Sequence, residues 1–185
     1  MASSKTDICS AALSLLGDDP IADITGGTSR ANLCKTLYDM ARDAVLRLHP
    51  WNFAIKRAQL APEVEKPLSG YANKFVMPSE LLRLLSIDGV TDFKVEGRRI
   101  LSDESSINIR YVYSNENIAE YDALFVMALA AQLAALLAYP ITKSNTTKEE
   151  MENIFKGYLQ SAKAVDAQEE PGDTMGDFPL INIRS

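Results

Sequence analysis

Histidine is almost missing from this sequence: His49 is the single one among 185 residues. Proton-transfer catalysis leans on that side chain more than on any other. A lone imidazole followed by Pro50 at a helix C-terminus reads instead as a cap for the last carbonyls. Cysteine is scarce too. Cys9 and Cys34 lie among small apolar residues at a spacing unlike any metal site. Two reduced core thiols are expected, with a disulfide between the first two helices as the alternative. Basic residues are outnumbered, 19 Lys and Arg against 25 Asp and Glu, giving a formal charge of −6. That argues against a general nucleic-acid binder, which needs a basic stripe. There is no Gly-rich phosphate loop, metal-ligand cluster or nucleophile motif. Gly26-Gly27 ahead of the second helix reads as a turn, with an anion site as the alternative. So many acidic residues always contain carboxylate pairs suited to sugar cleavage, but nothing singles one out. No catalytic residue, cofactor or metal is expected. The start of the chain lacks a signal-peptide pattern. The longest apolar stretch, Ala123 to Tyr139, is 17 residues, rich in alanine and interrupted by Gln132. Crossing a bilayer takes about 20 strongly apolar residues, so a buried helix in a soluble protein from a reducing compartment is expected.

What is present is ordinary globular composition, 46% hydrophobic and 24% charged. Helix one begins at a Ser3 or Ser4 cap, carries Ile8, Ala12, Leu15 and Leu16 at helical spacing, and stops at Gly17. A loop follows to Gly27. Helix two begins at Thr28 or Ser29 and runs to His49, with Leu33, Leu37, Ala41, Ala44 and Leu48 as its apolar stripe and Arg42 off it. After Pro50, the alternation of Trp51, Phe53 and Ile55 predicts a strand. Pro62 to Gly70 is a loop and Lys74–Met77 a short extended piece. Ser79 caps a predicted short helix bearing Leu81, Leu82, Leu84 and Leu85. Ser86–Val90 and Phe93–Leu101 read as strands, with a hairpin turn at Glu96-Gly97. Ile107–Tyr113 alternates cleanly as a strand. Helix three covers Ile118 to Ala138 and ends at Pro140. Thr146 or Thr147, with Glu149 or Glu150, opens helix four in a capping-box pattern. Its buried face is Met151, Ile154, Phe155, Tyr158, Leu159 and Ala162, and it fades around Gln168.

The fold class expected is therefore mainly α with a small antiparallel β portion. Residues 1–50 and 114–168 form a four-helix bundle, 51–113 an inserted β-rich region, and 169–185 an extended C-terminal tail. Three sets of residues stand out. Ala128, Ala131 and Ala135 on helix three permit close helix packing, inside the subunit or between neighbours. Pro50, Trp51 and Phe53 form a structural anchor, the proline stopping the helix and the aromatics fixing the first strand to the bundle. From Asp166 to Asp177 five acidic residues and no basic one form a tether, and behind it stands an apolar hook, Phe178, Leu180, Ile181 and Ile183. That arrangement suits docking on another surface, with folding back on its own domain as the alternative.

These residues carry a family likeness. Cys9-Ser-Ala-Ala-Leu-Ser-Leu-Leu-Gly17 resembles the opening of the podovirus head-to-tail adaptors called tail tubular protein A. The likeness is most specific from Tyr38 through His49-Pro-Trp-Asn-Phe53 to Ala58. It returns at Met77-Pro-Ser-Glu-Leu-Leu-Arg83, at Arg110-Tyr-Val112 and from Phe125 to Thr142. These matches, in order, span residues 8–168. The resemblance implies a dodecameric ring seated beneath the portal protein and above the tail nozzle protein, with DNA passing through its centre without specific binding. It implies a virion location at the head–tail junction after assembly in the host cytoplasm, no enzyme activity, and ordering of the apolar hook on the portal. Two rival classes are a virion-associated hydrolase of cell-wall glycan, which a zymogram would reveal, and a cellular helical scaffold, which would ignore a portal.

Overall fold

The fold is that of a computed structural model, which describes residues 4–169. It is mainly α with a small antiparallel β portion. The described residues form α1 (Lys5–Leu15), α2 (Ser29–Arg47), β1 (Ile55–Leu60), β2 (Asn73–Val76), β3 (Leu81–Ile87), β4 (Lys94–Glu96), β5 (Arg99–Ser102), β6 (Ile107–Tyr113), α3 (Ala123–Thr142) and α4 (Asn145–Glu169). The hook residues Phe178, Leu180, Ile181 and Ile183 lie outside the described residues.

The apolar helix α3 occupies the middle of the helical part and packs against α1, α2 and above all α4. By length and composition alone it could cross a membrane. In the fold, its Phe125, Leu129, Leu133 and Leu137 join the core shared by all four helices. Ala128, Ala131 and Ala135 are buried within the chain itself. Alanine at these positions removes side-chain bulk between helix axes, so neighbouring helices approach closely.

Helix ends follow local chemistry. The Ser4 hydroxyl accepts from the Asp7 amide at 3.1 Å, and the Thr28 hydroxyl accepts from the Ala31 amide at 3.1 Å. Gly17 closes α1 with φ of 72°, a left-handed conformation that costs glycine nothing. Three boundaries differ from the expectation. Asp122, not a residue near Ile118, caps α3 by accepting from the Leu124 and Phe125 amides; residues 118–120 form a separate 3-10 turn behind Asn117. Pro140 lies inside α3, which runs on to Thr142: the proline gives up the one bond its N–H would make to the Leu136 carbonyl, and the Lys143 amide closes the last turn on the Tyr139 carbonyl at 3.0 Å. Ser144, rather than Thr146 or Thr147, accepts from the Thr147 amide at the start of α4.

The buried face of α2 is also rotated from the expected stripe. Ala31, Cys34, Tyr38, Ala41, Arg42 and Val45 face inward, whereas Ala44 and Leu48 are exposed. Arg42, 3% exposed, explains the offset. Its guanidinium donates to Asp43 at 2.9 Å, to Asp39 at 3.0 Å and to the Ser114 hydroxyl at 2.9 Å, which ties α2 to the end of β6. On α4, Ile154 is exposed rather than buried. Cys9 and Cys34 are free thiols, not a disulfide. The hydrogen bond between them, together with burial, pushes the Cys9 thiol far above its ordinary range.

The strands form two three-stranded antiparallel sheets, ordered β1-β6-β3 and β2-β5-β4. They share a second core made of Phe75, Met77, Leu81, Ile87, Ile100, Ile107, Ile109 and Tyr111. The helix expected at Ser79–Leu85 is instead β3. Its pairing with β6 slips twice, so that Leu82 and Leu85 are extra residues between paired positions. Each bulge turns the next side chain to the other face. Leu81, Leu84 and Ile87 therefore face the sheet core while Leu82 and Leu85 face the helical core. A spacing of three on both faces imitates a helix, which is why the residues read as one. The strand expected from Trp51 also begins later, at Ile55, after a 3-10 turn over Asn52–Ala54.

Ala131 is fully buried where α3 meets its neighbours. Ala131→Leu should destabilise the fold by about 1–3 kcal/mol through overpacking, read as a lower melting temperature. An unchanged melt would remove close packing on α3 as a determinant of stability.

Candidate interaction surfaces

The turn from α2 into β1 is built on aromatic rings. The Leu48 amide still bonds back to the Val45 carbonyl, at 3.2 Å; Pro50, with no N–H, then lets the helix go no further. Trp51 is 0% exposed and its indole N–H donates to the Val45 carbonyl at 3.1 Å, so its polar edge is satisfied inside the core. Trp51 meets Phe125 edge-on at 5.1 Å between centroids and stacks with Phe53 at 6.0 Å. Phe53 and Tyr121 in turn pack on Phe125 at 5.0 and 4.9 Å. Pro50, Trp51 and Phe53 thus sit where α2, β1 and the start of α3 converge.

Asn115 holds the polar half of this junction. It is buried, and its amide donates to the Phe53 carbonyl and to Glu120, each at 2.8 Å. Hydrogen bonds from Asn115 and Asn117 hold the Glu120 carboxyl below the usual carboxylate range. The Tyr121 hydroxyl donates to the Asn115 carbonyl.

Asp166 completes the junction from α4. It is 7% exposed, pairs with His49 Nε2 at 3.0 Å and accepts the Asn52 amide at 3.1 Å. The Asn52 side chain donates back to the Asp166 carbonyl at 3.0 Å. His49 therefore acts on a carboxylate of α4 and not on the last carbonyls of its own helix. Two bonds to the buried carboxylate and a third to the Asp166 carbonyl fix the last turns of α4 against the α2–β1 turn. Sequence reading placed Asp166 in the acidic tether. The signal was present: Phe155, Leu159, Ala162 and Asp166 continue the inward stripe of α4 at spacings of four and three. A His–Asp pair also occurs in hydrolases, but there it orients a nucleophile; no serine, threonine or cysteine is bonded to His49 among the described residues. No group of His, Cys, Asp and Glu able to hold a metal occurs among them either.

Away from this junction, apolar side chains stand in solvent. Val64 and Leu68, on the loop between β1 and β2, are fully exposed, and Val76 and Val95 of the second sheet are about half exposed. An open hollow of about 500 Å³ lies beneath that loop, lined by Pro67, Leu68, Tyr71, Lys74, Arg99 and Leu101. Its charges are internally matched: Arg99 pairs with Glu63 at 2.8 Å and Lys74 with Glu65 at 2.8 Å.

Two substitutions test the junction. Trp51→Ala should cost about 3–5 kcal/mol, read by chemical denaturation, since it leaves a large cavity among three aromatic rings; a normally stable variant would reduce the rings to surface contacts. Asp166→Ala should cost about 1–3 kcal/mol by stranding the Asn52 amide and His49. It should raise hydrogen exchange in the last turns of α4 above that in α3, and equal exchange in both would show that Asp166 fixes nothing locally. Against known proteins, no family model matches this sequence, and no curated protein matches it.

Proposed function

We propose that the chain is a structural virion protein: a ring-forming head-to-tail adaptor that joins the portal protein to the tail nozzle protein. The ring, a dodecamer, forms part of the channel through which the phage genome is retained and ejected. The reading rests on the ordered likeness of residues 8–168 to tail tubular protein A. The observation that supports it best in the fold is where the chemistry goes. His49, Asp166, Asn115, Arg42 and Glu120 are spent on internal bonds that lock helices to strands, while Val64 and Leu68 project from a loop with no core to cover them. A scaffold locked within, with apolar side chains standing out on one loop, suits contact with other protein chains.

The acidic balance agrees with this role. A wall that must let DNA slide gains nothing from holding phosphates, and a net charge of −6 keeps phosphate contacts few. Polar groups that converge on an open cavity would favour an enzyme instead; the hollow under the β1–β2 loop has its charges paired off.

Mass measurement of the purified chain, alone and mixed with portal, tests the reading. A dodecamer, either free or assembled on the portal, is expected. A monomer or small oligomer under both conditions would overturn it, and clearing of a cell-wall zymogram would point to the hydrolase.

A further inference from the structure

The two sheets have four edge strands, and three are poor acceptors. β2 and β4 are four and three residues long, and β3 carries two bulges. Short and bulged edges resist pairing with a further strand. The fourth, β1, pairs with β6 alone over six residues in unbroken register and contains no proline. Its far side presents a row of backbone donors and acceptors, and no strand lies beyond it among the described residues.

Positive charge gathers at the same place. β1 carries Lys56, which has Glu80 and Glu120 within electrostatic reach, and Arg57, and neither β1 nor β6 itself contains Asp or Glu. Arg57 stands opposite Arg110 in the ladder, so the two side chains leave on one face. Arg83 stands on β3, on the far side of β6, where it donates to the Arg47 carbonyl at 3.4 Å.

We infer that the open edge of β1 receives residues 178–183 of a second copy of this chain as an added strand, with the acidic residues 169–177 lying against its arginines. The inference rests on the ring reading and names the partner of the C-terminal arm: a neighbouring copy, in place of the portal. Length fits, since Phe178 to Ile183 is six residues and so is β1. Pro179 lacks an N–H, which suits a strand that pairs on one side only.

Position fits as well. Asp166 latches the end of α4 to Asn52, three residues before β1 begins. The last described turn of α4 therefore sits beside the segment that leads into β1. Residues 170–177 can span roughly 27 Å when extended, more than the roughly 20 Å length of a six-residue strand. Charge then favours the neighbour over the chain's own edge. The departure groove is lined by Glu120, Asp122 and Glu169, and Glu170, Asp173 and Asp177 follow in the sequence. Like charges push the arm off its own groove, while the arginines of the next copy attract it. A contact between the departure end of one copy and the sheet edge of the next is heterologous, and such contacts form a ring when the rotation between copies closes.

Cysteine cross-linking of the assembled full chain tests this. Gln59→Cys is combined with Asn182→Cys, and separately with Ile181→Cys to sample both faces of the added strand, before oxidation with diamide. A reducible ladder of covalent oligomers is expected, absent from each single variant because Cys9 and Cys34 are buried. An assembled ring without a ladder overturns the inference and leaves the ring reading standing. Internally linked monomers would assign the arm to its own edge, and links to added portal would assign it to the portal; both overturn the inference. A chain that stays monomeric by mass overturns the ring reading and the inference together. Arg57→Glu should raise the concentration needed for assembly about tenfold, with Asp173→Lys plus Asp177→Lys restoring it. Unchanged assembly of Arg57→Glu would remove the charge pairing.

Discussion

A twenty-residue helix with almost no polar face cannot be left on a surface, and the rest of this fold is arranged around that constraint. α1, α2 and α4 cover most of α3, leaving Met127 and Tyr139 about half exposed. Enclosure by three helices demands that the central one be thin, which alanine provides at Ala128, Ala131 and Ala135. Large side chains then concentrate at the beginning of α3, where Phe125 receives Trp51, Phe53 and Tyr121. The β portion is thereby held at one end of the helices. Its point of attachment is fixed by where the aromatic rings can be buried.

The second constraint is that sheet and bundle must share side chains without sharing a face. β3 meets it with two bulges, which send Leu82 and Leu85 to the helices and Leu81, Leu84 and Ile87 to the sheet core. Arg42 meets the polar side of the same boundary, joining α2 to Ser114 just after β6. Both devices are costly in isolation. A bulge gives up ladder pairing, and a buried guanidinium gives up hydration. Each is tolerated because its partners are complete: the leucines fill two cores, and the arginine's donors find Asp39, Asp43 and Ser114.

These same devices mark where the fold was illegible in the sequence. The class, the clean alternation of β6, the hairpin at Gly97 and the caps at Ser4 and Thr28 could all be read from local pattern, because local chemistry alone decides them. β3 could not, since its period of three arises only when two cores lie on opposite sides of one strand. The face of α2 was misjudged because a buried arginine looks polar until its carboxylate partners, one of them also bonded to a serine 71 residues away, are in place. Asp166 was assigned by composition to an acidic tether, although its position on the stripe of α4 belongs to the core.

The locked junction and the unmatched outer surfaces are two consequences of one allocation. His49, Asn52, Asn115, Glu120 and Asp166 around Trp51 are committed to holding α2, β1, α3 and α4 in a single arrangement, so the edge of β1 and the end of α4 keep a fixed relation within each copy. A fixed relation is what a closed ring requires. A heterologous contact closes after a whole number of copies only if each copy presents donor and acceptor at the same angle, and a loose joint would give open chains of varied length. The proposed adaptor therefore depends less on any surface residue than on the buried Asp166–Asn52 bond that sets the angle between them.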